Sequence, residues 1–399
     1  MLLKILLLII FPLASAIAQE NVLTLQQFLE KVQKESPEIA GEKAGIDAAG
    51  ARASGIRIPS PMAGFMQMSE GGNVRSGFEI SQEVPFPTKI TQGKKVRSLE
   101  HEAQKESSNY QTNVVLAEAR DTYIRFWSAF ERLQILKEKQ QWLKHHLRLT
   151  RAATRSDSSA QIHLLEVESE SDLIENEVIA FEAEVEESRN KLKMYVPSLE
   201  AKSLLPKEPS VPSLGVEKSN RGLAIAVKEK DLAAKEAQVG LSKQAYIPDL
   251  FLRLRYFNGN EMAPQSQELM VGVSLPFVFF WQPKAEVAEA SAQRMKAEAE
   301  LQKARIEFES RLASLVKKSD AISRQLTNLK EKLIPRAERR KRLATNLSAR
   351  TMEGLDEHRS VTLGLLDLRM KVVDLRMEYE SVFAEILKLT GVDLKVGVQ

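Results

Sequence analysis

Residues 247–283 read IPDLFLRLRYFNGNEMAPQSQELMVGVSLPFVFFWQP, two short alternating runs joined by a polar loop. In the first run Leu250, Leu252, Leu254 and Tyr256 fall on one face, and Phe251, Arg253, Arg255 and Phe257 on the other. In the second, Leu269, Val271, Val273 and Leu275 oppose Met270, Gly272 and Ser274. A period of two specifies strands, because successive side chains point to opposite faces. An ordinary half-buried hairpin has this alternation. So does the wall of a membrane barrel, apolar outside and polar inside, whose tilted strands span the bilayer in about ten residues. Phe277, Phe279, Phe280 and Trp281 follow at once and suit an interfacial aromatic girdle.

A weaker copy lies upstream. Met62–Met68 and Gly77–Val84 flank a turn at Glu70-Gly71-Gly72-Asn73, and Phe78, Ile80 and Val84 alternate with Glu79, Ser81 and Glu83. Prolines mark the two copies alike. Ile58-Pro59 lies 189 residues before Ile247-Pro248, and Val84-Pro85-Phe86 lies 191 before Leu275-Pro276-Phe277. Such spacing indicates an internal duplication.

Helical signals fill the rest. Thr24 is an N-cap candidate for a helix over 23–35, and Pro37–Ile58 reads as a second helix ended by Pro59. The longer segments keep a seven-residue rhythm. Leu116, Ala119, Tyr123, Phe126, Phe130 and Leu133 alternate spacings of three and four, as do Val167, Ser171, Ile174, Val178, Phe181, Val185, Ser188 and Leu192. Phe308 to Leu333 and Val361 to Leu389 continue in the same way. Sustained 3–4 spacing specifies antiparallel helix pairs packing knobs into holes. Their turns are expected near Ser156–Ser159 and Glu353–Asp356. The outgoing helices, roughly 65 residues each, would be rods of about 100 Å.

The expected organisation is a first repeat over 19–196, with a β-hairpin at 61–84 and a coiled-coil hairpin at 88–194. An equatorial linker at 197–218 leads to a second repeat over 219–399, with its β-hairpin at 249–276 and its coiled-coil hairpin at 284–391. Residues 1–18 read as a cleaved signal peptide: Lys4, an apolar run, then Ala16-Ile17-Ala18. With no cysteine in the 399 residues, disulfides, thiolate sites and a lipid anchor on cysteine are not expected. A net charge of +3 gives no bulk attraction to nucleic acid, and no phosphate-cradling loop or catalytic constellation stands out. The histidines, among them His145, His146, His163 and His358, fall on polar helical positions without carboxylates at ligand spacing. They are expected in solvent, with no metal and no cofactor.

Four strands cannot close around a lumen, and a sheet in lipid cannot leave its edges unpaired, so several copies must share one barrel. Duplicated plan, Ser36-Pro37-Glu38, Gln82-Glu83-Val84-Pro85, Gly354-Leu355 and the ending Leu389-Thr390-Gly391 together resemble the TolC-like outer-membrane efflux proteins. The resemblance covers essentially the whole chain after the signal peptide. It implies a mainly α fold with a small membrane β part, forming a homotrimeric α/β barrel duct. Such a duct sits in the outer membrane of a Gram-negative bacterium and extends through the periplasm to an adaptor and an inner-membrane transporter. It conducts passively and is not an enzyme. Phe78, Ile80, Leu250, Leu252, Leu254, Val271 and Val273 would face lipid. Arg151, Arg155, Asp157, Gly354, Leu355, Asp356 and Arg359 would form the gated, adaptor-docking helical tips. The first tip departs from the pattern, with Asp157 where a glycine belongs, and the anchor cysteine of many members is missing. A periplasmic adaptor or a soluble coiled-coil scaffold is the rival reading; an adaptor normally has one helical hairpin, not two.

Overall fold

The computed structural model describes residues 21–70, 73–153, 159–199, 204–211, 222–259, 264–348 and 352–391. Its elements are β1 (Asn21–Leu23), α1 (Leu25–Glu35), α2 (Pro37–Ala53), β2 (Met62–Glu70), β3 (Asn73–Val84), α3 (Pro87–Ala153) and α4 (Ser159–Tyr195). They continue with β4 (Leu204–Pro206), α5 (Leu223–Ser242), β5 (Leu250–Phe257), β6 (Ser266–Val273), α6 (Trp281–Asn328), α7 (Ile334–Ser348) and α8 (Met352–Thr390). Two compact units are present. One takes in segments 1–34, 122–210 and 337–373; the other takes in 35–121, 211–336 and 374–399.

The first unit is built around the pairing of α3 with α4. Arg189 lies over the Phe126 ring at 5.7 Å, Arg132 over Phe181 at 5.8 Å, and Arg151 meets Glu168 at 2.8 Å, so partners approach one another in sequence as an antiparallel hairpin requires. Tyr123, Phe126, Leu133 and Leu136 on α3 and Val167, Ile174, Val185 and Leu192 on α4 are buried, as the heptad rhythm dictates. At the start of the chain Thr24 Oγ1 accepts from the Gln27 N–H (3.2 Å), and Gln27 Oε1 accepts from the Thr24 N–H (3.1 Å), a reciprocal cap for α1. Leu23 itself belongs to a strand: β1 pairs in parallel with β4, inside the segment expected to be a plain linker. The Tyr123 hydroxyl clamps that two-stranded ladder, accepting from the Lys207 N–H (3.1 Å) with the Leu23 and Lys207 carbonyls at 2.7 and 2.8 Å. Burial pushes its phenol pKa well up.

The second unit holds a four-stranded antiparallel sheet in the order β2-β3-β5-β6, so the two hairpins join through β3 and β5. Gly77 sits at that seam, where a Cβ would lie 2.2 Å from the Tyr256 carbonyl oxygen. Against the sheet's foot, Asp249 accepts from the Phe86 N–H (2.9 Å) and binds Lys89 (2.5 Å), fixing the entry to α3. Helix α2 ends at Ala53 rather than Ile58: Ser54 turns extended and Gly55 follows with φ +76°, a left-handed conformation that cannot continue the helix. Helices α5 and α6 pack together, with Lys228–Glu300 at 2.6 Å and Glu229–Arg305 at 3.1 Å.

The second outgoing helix is not uniform. One π-helical turn over Leu329–Leu333 separates α6 from α7. Pro335 lacks an N–H and its ring crowds the carbonyl four residues back, and a π-turn absorbs both faults. The inserted residue shifts the seam, so Leu333, expected inside, is exposed. The turn expected at Glu353–Asp356 is also displaced: α8 starts at Met352, placing Gly354, Leu355 and Asp356 in its first helical turns.

Candidate functional site: an apolar-faced sheet and a charged helical end

Alternation sorts the sheet into two chemically distinct faces. Phe65 and Phe78 are register partners whose rings meet edge to face at 5.8 Å. With them lie Ile80, Leu250, Leu252, Leu254 (48% exposed), Leu269, Val271 (63% exposed) and Val273. This face is largely apolar, and among the described residues nothing covers it. A contiguous patch of this kind marks a surface that meets lipid or another protein. The opposite face carries charge: Glu79 holds Arg255 Nε at 2.8 Å and Arg253 Nε at 3.1 Å. Among the described residues, the outer edges of β2 and β6 pair with no strand. Phe279, Phe280 and Trp281 cluster edge to face, exposed, where the sheet gives way to α6; the side chain of Phe277 lies outside the described residues.

The helical end of the first unit is organised by Arg359. Its side chain is largely buried and contacts Asp356 (2.8 Å), Glu170 (2.8 Å) and Glu166 (3.2 Å). Burial works against its charge, but these carboxylates outweigh it and hold the guanidinium pKa above its ordinary value. Gly354 is buried and Leu355 and Asp356 are half-buried, while Arg151 is exposed on its ion pair with Glu168. Arg155 and Asp157 lie outside the described residues.

Beside this hub is a histidine cluster that contradicts the expectation of solvated imidazoles. His146 is 1% exposed and stacks on Trp142 at 5.1 Å. His163 meets His146 at 6.0 Å, and His358 meets Trp142 at 5.6 Å. Buried Nε2 atoms of both His146 and His163 have no hydrogen-bond partner. Burial first, then the nearby Arg359, His163 and His358, lowers the His146 pKa to about 4, with Asp356 opposing. The signal was available: the buried series Leu136, Leu143, His146, Thr150 continues the 3–4 spacing, so His146 occupies a seam position. No group of three or more His, Asp or Glu able to hold a metal ion occurs among the described residues, and no helix there is long and apolar enough to cross a membrane.

No protein-family model matches the chain, and no curated protein matches it in sequence. Solved structures do match. The Campylobacter jejuni CmeC outer membrane channel superposes with TM-score 0.78 at 13% identity, over 91% of this chain and 84% of that one. The outer-membrane channel OprN gives 0.74 at 16% identity over 91% and 89%. The open state of the Neisseria gonorrhoeae MtrE outer membrane channel gives 0.74 at 13% identity over 94% and 90%. At such identities the likeness establishes the fold, and this chain has the TolC-like fold of these channels.

Proposed function

We propose that the chain is one subunit of a homotrimeric outer-membrane efflux channel, passing substrates handed over by a periplasmic adaptor and an inner-membrane transporter. The observation that carries the reading is the four-stranded sheet, with one bare apolar face, one charged face and two open edges. In lipid its edge N–H and C=O groups need partners, and single-chain barrels use about eight strands or more, so copies must pool strands. Three copies close a twelve-stranded barrel, the apolar face outward to outer-membrane lipid and the Glu79–Arg253–Arg255 face toward the lumen. A soluble scaffold has no use for an uncovered apolar sheet. Residues 1–18 serve as the cleaved export signal, and no step of conduction needs covalent chemistry. Mass measurement on the purified protein in detergent tests the reading: a trimer is expected, and a folded monomer overturns it.

The gate is assigned to the helical ends. Arg359 ties α8 to α4 through Glu166 and Glu170, holding these two helices together at their tips. Asp356 and, on the first tip, Asp157 are the candidates for an acidic constriction, and the tips, with Arg151, Arg155, Gly354 and Leu355, are the candidate adaptor-docking surface. Replacing Asp157 and Asp356 with alanine is expected to raise single-channel conductance in planar bilayers. Unchanged conductance removes these two residues from the gate.

A further inference from the structure

We propose that Asn258-Gly259 is a site of spontaneous covalent modification, at which the asparagine closes to a succinimide and reopens as isoaspartate or aspartate. It is the one Asn-Gly pair in the chain. The attacking atom in this chemistry is the backbone nitrogen of the following residue, and glycine, having no Cβ, shields that nitrogen least. Such a pair ordinarily has a structural use, since Asn-Gly between alternating strands is the preferred two-residue turn of a hairpin. Here it does not serve as one. A turn of that kind would start β6 at residue 260, whereas β6 starts at Ser266 and the pair opens a longer loop.

The backbone leaves the reacting atoms free to meet. Strand β5 ends at Phe257. The Asn258 N–H donates to the Ser76 carbonyl at 2.9 Å, which ties down only the upstream side of the asparagine. Beyond it, the Gly259 N–H has no backbone partner among the described residues. Rotation about the Asn258 ψ angle carries the Gly259 nitrogen toward the side-chain Cγ. An asparagine paired on both sides within a ladder cannot make that rotation; Asn258 is the first residue past the restraint. Both residues are exposed, so water reaches the ring once it forms.

In the first step the Gly259 nitrogen bonds to Asn258 Cγ, the Cγ–Nδ2 bond breaks, and the backbone amide proton leaves with the amine as ammonia. Water then opens the ring. Attack at the main-chain carbonyl leaves the chain running through Cγ, an isoaspartate with one extra backbone carbon; attack at Cγ leaves an ordinary aspartate. Nothing is oxidised or reduced, and either product adds one negative charge to the loop. That loop lies at the end of the sheet opposite the one from which α3 and α6 depart. That this end is the outer mouth of a channel rests on the function proposed above, whereas the reaction itself does not.

The test incubates the purified full-length protein in mildly alkaline buffer and follows it by peptide mapping. The peptide holding Asn258 is expected to gain about 1 Da as the amide becomes a carboxylate, with isoaspartate the major product and resistant to an aspartate-specific protease. Gly259→Val should slow the conversion by at least about tenfold, because a branched side chain shields the attacking nitrogen. Should that variant not assemble, Asn258→Gln, whose longer side chain closes a larger ring less readily, is read in the same way. An Asn258 that stays unchanged in the folded protein overturns the site, as does equally fast conversion in the variant. A trimer that keeps its mass sinks the site and leaves the channel; a monomer that converts does the reverse.

Discussion

Glu380→Leu is expected to destabilise the protein by about 3–5 kcal/mol per chain, the largest effect of any single substitution proposed for it. Glu380 is fully buried on α8. Arg120 on α3 donates to its Oε2 from Nη2 (2.6 Å) and Nε (3.2 Å), and Arg376, one helical turn earlier, meets Oε1 at 2.9 Å. Arg120 also lies over the Phe383 ring at 4.8 Å, and both arginines are themselves nearly buried. Two cations and one anion therefore share a dry site. Removing the anion takes from both buried guanidiniums the carboxylate they share, and a buried charge that loses such a partner is costly. The exposed pair Arg311–Glu385, at 2.8 Å in the same unit, is the contrast: its loss should change stability by less than about 1 kcal/mol.

The prediction concerns breaking the triad, not the net worth of having it. Replacing all three residues together, Arg120→Met, Glu380→Leu and Arg376→Met, removes the charges and their desolvation cost at once. The triple variant is expected to recover most of the lost stability, because well-packed apolar side chains commonly equal or exceed a buried ion network. The denaturant midpoint of the purified protein, with the slope checked for constancy, measures both variants. A triple variant as weak as Glu380→Leu would show that the charges contribute through more than their mutual compensation.

The triad also shows where a sequence is readable and where it is not. The hairpins were legible because alternation with period two survives on β3, β5 and β6, and the fold followed because two prolines recur at matching places in two halves. Helix α8 was half legible. Val361, Leu365, Leu375, Tyr379, Val382 and Ile386 announce one seam, but Leu366, Val373, Arg376, Glu380, Phe383 and Leu387 form a second one with the same spacing. Charge at two positions of that second series hides it from any reading that sends charged residues to solvent. His146 was missed for the same reason, since polarity outweighed its place in the rhythm of Leu136 and Leu143. The β1–β4 ladder had no local signal at all: three residues on each side, nearly two hundred apart, pair only because Tyr123 and the helices around it bring them together. The π-turn lay in between, for Pro335 announces a fault in the helix but not whether a kink or an inserted residue absorbs it.

Acidification from pH 7 to below pH 5 is expected to loosen the helical end of the first unit, with His146 as the responsible group. The sign follows from its pKa, which is about 4 in the folded chain against an ordinary value of 6.5. Between those values the unfolded chain binds a proton that the folded one refuses, so stability rises with pH across this window. The contribution is fully present above pH 6.5 and is lost as pH falls toward 4. A depression of this size corresponds to about 3 kcal/mol at most. Physically, a proton on His146 places a new positive charge close to the Arg359 guanidinium of α8, at an end where His163, His358, Asp356, Glu166 and Glu170 also gather. It also charges a ring whose Nε2 has no partner to receive it. His146→Phe keeps a ring to stack on Trp142 and cannot titrate, so its melting temperature should fall less than the wild-type value between pH 7 and pH 4.5. Hydrogen exchange in the helices flanking residues 142–163 should then quicken with acid in the wild type and not in the variant. Equal acid sensitivity in both proteins would remove His146 as its source.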